Sequence, residues 1–284
     1  MLVLSDDAAN GKVAPLFESH DVVSVTLSAP FRQIMTNRDD EELQGTFVYT
    51  DLESGEEVSL DIGLRTRGRF RRDKDVCNFA PLRLNFRQTR STLFATSDKM
   101  KLVTHCRNRS GRYQQAVLKE YLAYRILNTV TDWSFRMRLL RVRYIESTTG
   151  EAINESWAFL IEEDEQLARR IGMHVDLSER ARIAALDPAH TNLMSVFQFL
   201  IANTDFSPVR GTPGEPCCHN YVLLGNDGGF HITYDGARTW SFLNNIPIAQ
   251  YYVIGIDDRD PYHVYGGLQD NGTWGVPSRT FSRT

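Results

Sequence analysis

Apolar residues at every second position mark the first part of the chain as β. Val58, Leu60, Ile62 and Leu64 alternate with Ser59, Asp61, Gly63 and Arg65, the period of a half-buried strand. Glu53-Ser54-Gly55 ahead of it is a turn signal, and Gly45–Asp51 supplies a hairpin partner. Further strands are expected at Leu82–Phe86, Lys101–His105, Arg136–Ile145 and Trp157–Ile161. Between Lys101–His105 and Arg136–Ile145 the period becomes helical and predicts one strong helix, about Arg112–Thr129.

Farther along, the pattern stays helical. Glu163–Ile171 and Leu177–Leu186 are expected helices. A third begins at Asp187-Pro188, where Asp caps free amide groups and Pro fits the first turn. It carries Leu193, Val196, Phe197, Leu200 and Ile201 at i, i+3, i+4 spacing and stops near Asn203. No helix is expected after Asp205. From about Leu224 the strands shorten, and Gly, Asn, Asp and aromatic residues dominate. Strands before helices suggest an α+β chain with a β-rich first lobe, a helical second lobe and a β tail.

Composition narrows this little. The 284 residues are 42% hydrophobic and 24% charged, close to a soluble globular protein, and no apolar run approaches the ~20 residues of a membrane helix. A net charge of −4 exerts no general pull on nucleic acid. Cys77, Cys106, Cys217 and Cys218 contain no spaced CxxC pair, so the expectation is buried thiols with one possible bridge. Met1–Leu4 is too short for a signal peptide, so the chain is expected to start just after one or to be a fragment. The Asn108, Asn154 and Asn271 triplets fit glycosylation acceptors, which matter only in a secretory host.

Candidate chemistry lies in three places. On the 112–129 helix, Glu120 shares a face with Tyr113, Val117, Tyr121 and Tyr124, while Leu118, Leu122 and Ile126 cover another. A helix so apolar is expected to be largely buried, and its carboxylate then needs a cation. Lys101 is the expected partner, and a strand lysine followed by a helix glutamate is how a kinase-like site fixes lysine on phosphates. A purely structural ion pair explains the same residues. Arg65–Arg72 is the one strong basic cluster, a strand-to-turn where guanidiniums can grip phosphate or simply face solvent. Asn203-Thr204-Asp205, followed by Asn220 before Tyr221–Leu224, matches a catalytic loop in which Asp takes a hydroxyl proton and Asn helps hold Mg²⁺; ordinary cap and turn chemistry is the alternative. In the tail, Thr233–Trp240 and Gln269–Trp274 read as hairpins, the first with Asp235 tying its turn.

Val58–Gly68, Pro81–Phe86, Lys101–Cys106, Trp157–Glu163 and Phe199–Asp205 resemble, in order, segments of the CotH kinase-like proteins, over about residues 16–224. The resemblance implies a two-lobed atypical protein-kinase-like fold, with a flexible segment 1–15, a β-rich lobe 16–161 and a helical lobe 162–224. It implies Mg²⁺-dependent phosphoryl transfer from ATP to a protein hydroxyl, and a secreted or periplasmic location. Carried onto this sequence, Asp205 is the catalytic Asp, and Asn220 and Asp235 are metal ligands. Glu162 sits in the connection between lobes, and Arg65 and Arg67 lie near the phosphates, beside Lys101 and Glu120. The alternative function is an inactive kinase-like scaffold or surface structural protein. Residues 225–284 resemble a fragment of an Asp-box β-propeller, too short to close a ring, which implies two joined pieces and a tail descended from a glycan- or protein-binding surface.

Overall fold

Seven strands hydrogen-bond into a ring. The structure, a computed structural model, describes residues 13–51, 54–211, 217–225, 230–232, 241–243, 251–256, 259, 263–268 and 273–277. In chain order the first unit contains α1 (Pro15–Glu18), β1 (Val23–Ala29), α2 (Phe31–Asn37), β2 (Leu43–Thr50), β3 (Glu57–Thr66), β4 (Leu82–Phe86) and β5 (Lys99–Val103). After these come α3 (Gly111–Val130), β6 (Met137–Glu146), β7 (Ala152–Ile161), α4 (Asp164–Arg170), β8 (His174–Val175) and α5 (Pro188–Leu200). The barrel order is β1-β2-β3-β4-β5-β7-β6, closed by parallel pairing of β1 with β6.

Closure corrects the expected two-lobed kinase-like α+β fold. The strand that closes the ring is β1, whose Val23, Val25, Leu27 and Ala29 point inward while Ser24, Thr26 and Ser28 alternate outward. One core then fills the ring: Phe47, Leu60, Ile62, Leu64, Leu82, Leu84, Met100, Leu102, Leu140, Val142 and Leu160 belong to a single buried cluster. A barrel of about this strand number has an interior just wide enough for its own side chains. Each fully buried large side chain contributes roughly 1.5–3 kcal/mol. Gly45 permits the close approach of β2 to β1, since a Cβ there would lie 2.5 Å from the Ser28 carbonyl oxygen.

The helices do not assemble a second lobe. α3 lays Val117 and Tyr121 on the outer faces of β5, β6 and β7, against Val103, Met137, Phe159 and Ile161. Its other side departs from expectation: Leu122, Ile126 and Val130 are more than half exposed. The α5 stripe buries Phe197 and Gln198 but leaves Val196, Phe199 and Leu200 outside. The expected helix at Leu177–Leu186 is irregular chain with one short turn, Ile183–Ala185.

Residues 225–284 form a separate compact unit. There Phe230–Ile232 pairs antiparallel with Ser241–Leu243, and Tyr251–Ile256, His263–Leu268 and Thr273–Pro277 make a three-stranded antiparallel sheet. Asp235 and the rest of Thr233–Trp240 lie outside the described residues, as does the turn at 269–272.

Candidate functional site

Inward leucines place their neighbours outward. Arg65 faces Arg83 across β3 and β4, and Arg83 faces Lys101 across β4 and β5, so three cations form one row on the barrel's outer surface. Arg67 follows Arg65 at the same alternation, its backbone N–H donating to the Pro81 carbonyl at 2.8 Å. Gly68 then turns the chain at φ +81°, a conformation that costs glycine nothing.

The loop that follows carries Arg71 and Arg72 and is held firmly. Arg38 donates to the carbonyls of Arg72 and Cys77, each at 2.7 Å, and Arg107 donates to those of Asp75 and Val76 at 2.8 and 3.1 Å. A disulfide joins Cys77 to Cys106, with Cα atoms 4.7 Å apart, and Phe79 bridges to Cys106 alongside it. All four cysteines are paired, the other bond linking Cys217 to Cys218.

Carboxylates come to this cationic row from three directions. Glu163 and Asp164 follow β7 and open α4. Glu163 accepts from Arg83 at 2.9 Å and lies 3.9 Å from Lys101, while Asp164 accepts from Lys101 at 2.5 Å. Lys101 also sits 5.8 Å from the Phe135 ring centre. Asp40 holds Arg65 at 2.7 Å and Arg72 at 3.2 Å. Glu120, from α3, accepts from Arg71 at 3.1 Å. The expected Lys101–Glu120 pair is therefore corrected. Both residues reach the same surface, but Lys101 pairs with the start of α4 and Glu120 with the arginine loop.

Arg67 differs from the others. Among the described residues its guanidinium has neither a hydrogen-bond partner nor an ion-pair partner, although it feels the charges of Glu163, Arg83 and Glu120. Burial holds its pKa below the ordinary value, with Glu163 working the other way and Arg83 adding to the depression; an arginine remains cationic regardless. Burial and the nearby Glu120 raise the Tyr124 hydroxyl well above its ordinary value, keeping it neutral. The network sets Arg65, Arg67, Arg71, Arg72, Arg83 and Lys101 against Asp40, Glu120, Glu163 and Asp164. Cations outnumber carboxylates in this network even when Glu42, which accepts from Asn85 at 2.9 Å on the same face, is counted with them.

The remaining candidates lie elsewhere. Glu162 is buried at the end of β7, where both its oxygens hold Arg170 at 2.9 and 3.0 Å and one also accepts the Arg136 N–H at 3.0 Å. That is a structural ion pair with no open face. Asp205, Asn220 and His219 make a cluster of their own. The Asp205 carboxylate is 80% exposed and 2.8 Å from His219 Nε2, and the Asn220 amide donates to the Asp205 carbonyl. The Asp205 carboxylate thus faces His219, while the Asn220 amide is tied to the Asp205 backbone; an Asn amide oxygen is a hard donor of the kind Mg²⁺ accepts when phosphate and water complete its shell. Among the described residues no group of three or more His, Cys, Asp or Glu is placed to hold a metal alone. The sequence reading missed Arg83, Glu163 and Asp164. Alternation around Leu82 and Leu84 places Arg83 outward, but nothing local to Glu163 or Asp164 says which cation they meet.

No helix of the described residues is long and apolar enough to cross a membrane. Comparison of the chain with family models, curated proteins and solved structures finds no match.

Proposed function

We propose that the outer surface of β3, β4 and β5 grips the phosphates of a nucleoside triphosphate, and that the chain transfers the terminal phosphoryl group to a protein hydroxyl. One observation carries this reading. Arg67 is a partly desolvated guanidinium with no partner among the described residues, in a network where cations outnumber carboxylates. Arginine is suited to such a role because its planar fork meets two phosphate oxygens at once. Phe70, next to Arg69 and Arg71, is 75% exposed and offers a flat surface on which a base can stack.

In this reading Arg67 and Arg71 bind and orient the phosphates, and Lys101 adds charge while Asp164 anchors it. For Asp205 to accept the proton of the attacking hydroxyl as that oxygen bonds to the terminal phosphorus, the bound triphosphate must reach from the arginine surface to the separate Asp205 cluster. The bond from phosphorus to the bridging oxygen breaks, and the nucleoside diphosphate leaves with it. Mg²⁺, which Asn220 would help to hold, would neutralise charge on the phosphate oxygens. Asp235 lies outside the described residues and is assigned nothing. The Cys77–Cys106 bond favours folding in an oxidising compartment, in keeping with a secreted or periplasmic protein.

Transfer of label from γ-labelled ATP, with Mg²⁺, to the chain itself and to a generic protein acceptor tests the activity. The wild type should transfer and Asp205→Asn should fall by a hundredfold or more, the scale of a lost general base. A second reading, a nucleotide-binding scaffold without transfer, draws on the Asn220 amide being engaged by the Asp205 carbonyl. ATP binding with no label transferred by the wild type would establish that reading instead.

A further inference from the structure

Away from the arginine surface, α1, the turn after it and the second half of α3 line a cleft of about 630 Å³. Clefts of roughly 300–1,000 Å³ are the usual size for small organic ligands. Val13 and Phe17 supply apolar surface, and the charged lining residues are Glu18, Arg125 and Arg136, with His20 beside them. Both sides of the cleft are pinned. Arg138 of β6, itself buried, donates to the carbonyls of Leu16 at 3.2 Å and Ser19 at 2.6 Å, which fixes the stretch carrying Glu18 and His20. Opposite, the Asn128 amide donates to Ser134 Oγ at 2.8 Å and to the Phe135 carbonyl at 2.9 Å, tying the end of α3 to the residues before β6.

The charges differ in what they already hold. Arg136 is taken, its guanidinium donating to Asp132 at 2.6 Å. Asp21, nearby but outside the lining, accepts from Ser19 Oγ at 2.6 Å. Arg125 and Glu18 have no hydrogen-bond or ion-pair partner among the described residues, and they do not pair with each other. Both keep accessible surface, Glu18 at an exposed position and Arg125 at a half-buried one. Burial, then the charges of Arg125, Arg138 and Arg136, hold the His20 imidazole below its ordinary value against the pull of Asp21, so His20 stays neutral at pH 7. A lone anion on Arg125 would meet Glu18, and a lone cation on Glu18 would meet Arg125. We propose that this cleft binds a small zwitterion with an apolar body, its carboxylate on Arg125, its ammonium on Glu18 and its hydrocarbon part on Val13 and Phe17. The guanidinium fork suits the carboxylate, which it can meet through two parallel hydrogen bonds. The ligand class is a hydrophobic amino acid, free or as a dipeptide. None of these residues belongs to the phosphate surface, and the inference does not rest on that reading.

The test titrates the full chain calorimetrically with phenylalanine, alanylphenylalanine, 3-phenylpropionate and 2-phenylethylamine. The last two keep the ring and carry one charge each. At least one zwitterion should bind about tenfold or more tighter than both single-charge compounds, the scale of a hydrogen bond to a charged group. Whichever of the amino acid and the dipeptide binds tighter identifies the source. Glu18→Gln should erase the preference over 3-phenylpropionate, and Arg125→Gln the preference over 2-phenylethylamine. Binding of 3-phenylpropionate as tight as that of the zwitterions would overturn the proposal and leave a plain anion site. A preference kept in both variants would also overturn it, as would no binding of any of the four to the folded wild type. Should a variant fail to fold, the comparison of ligands on the wild type decides by itself.

Discussion

The two faces of β3, β4 and β5 are built from the same residues in alternation and do opposite things. Leu64, Leu84 and Leu102 are fully buried in the barrel core, while Arg65, Arg83 and Lys101, one position away on each strand, meet carboxylates and solvent. The inner face cannot lose a methylene without a cavity, because protein interiors are close-packed. On the outer face the pairs are partly exposed, and such pairs are worth about 0–1 kcal/mol each. Stability is therefore concentrated inside, and a substitution on the outer face should disturb the proposed phosphate grip without disturbing the core.

The largest effect should come from breaking the inner face. Phe47→Ala removes a fully buried ring that contacts Tyr49, Phe86 and Phe94 and should cost about 3–5 kcal/mol in chemical denaturation. Glu162→Ala should cost a similar amount, about 3–5 kcal/mol, because Arg170 would be left buried without its counter-charge. Were Glu162 instead a nucleotide contact, the variant would keep its stability and lose affinity.

Next in size is the covalent tie under the arginine loop. Cys77 and Cys106 are 29 positions apart, and a loop of that length predicts a loss of about 3–4 kcal/mol in Cys77→Ser. Because the tie also holds the loop, phosphate affinity should fall with stability, in contrast to Arg67→Gln. That last variant should be at least as stable as wild type in chemical denaturation, because it removes a desolvated cation that has no partner among the described residues.

The smallest effect sharpens the contrast by pH. Burial holds the His105 imidazole, stacked on Phe79 and bonded to Ser156 and Asn108, below its ordinary 6.5; burial lowers His190 likewise. The unfolded chain then binds protons that the folded one refuses. This contribution is complete above about pH 6.5 and lost as pH falls toward the folded values. Denaturation midpoints should therefore drop between pH 7 and pH 5, with a smaller slope in His105→Asn. An equal slope in that variant would show that His105 is not the group titrating.

Much of the barrel is legible in the sequence, since alternation at Val58–Leu64, Leu82–Phe86 and Trp157–Ile161 marks strands that the structure contains. The missed strand, β1, carries the same signal at Val23–Ala29. Overlooking it left an open lobe where there is a closed ring, because closure needs one more strand in parallel with β6. The site was legible on the cation side and in Glu120, which reaches the arginine loop although not the expected Lys101. Arg65, Arg67 and Lys101 follow from alternation, whereas Glu163 and Asp164 reach them through barrel closure and the start of α4, contacts 63 or more positions distant in sequence. The helix at α3 was read as largely buried from its composition. It is held by one face only, since the barrel curves away from Leu122, Ile126 and Val130 and leaves them in solvent.

The central claim is that the outer face of the barrel grips phosphate through Arg67. Calorimetric titration of Mg²⁺-ATP into the wild-type chain and into Arg67→Gln tests it most directly. The account predicts micromolar binding to the wild type and at least a tenfold loss in the variant with no loss of stability. Binding of equal strength to both proteins, or none to a folded wild type, would contradict it.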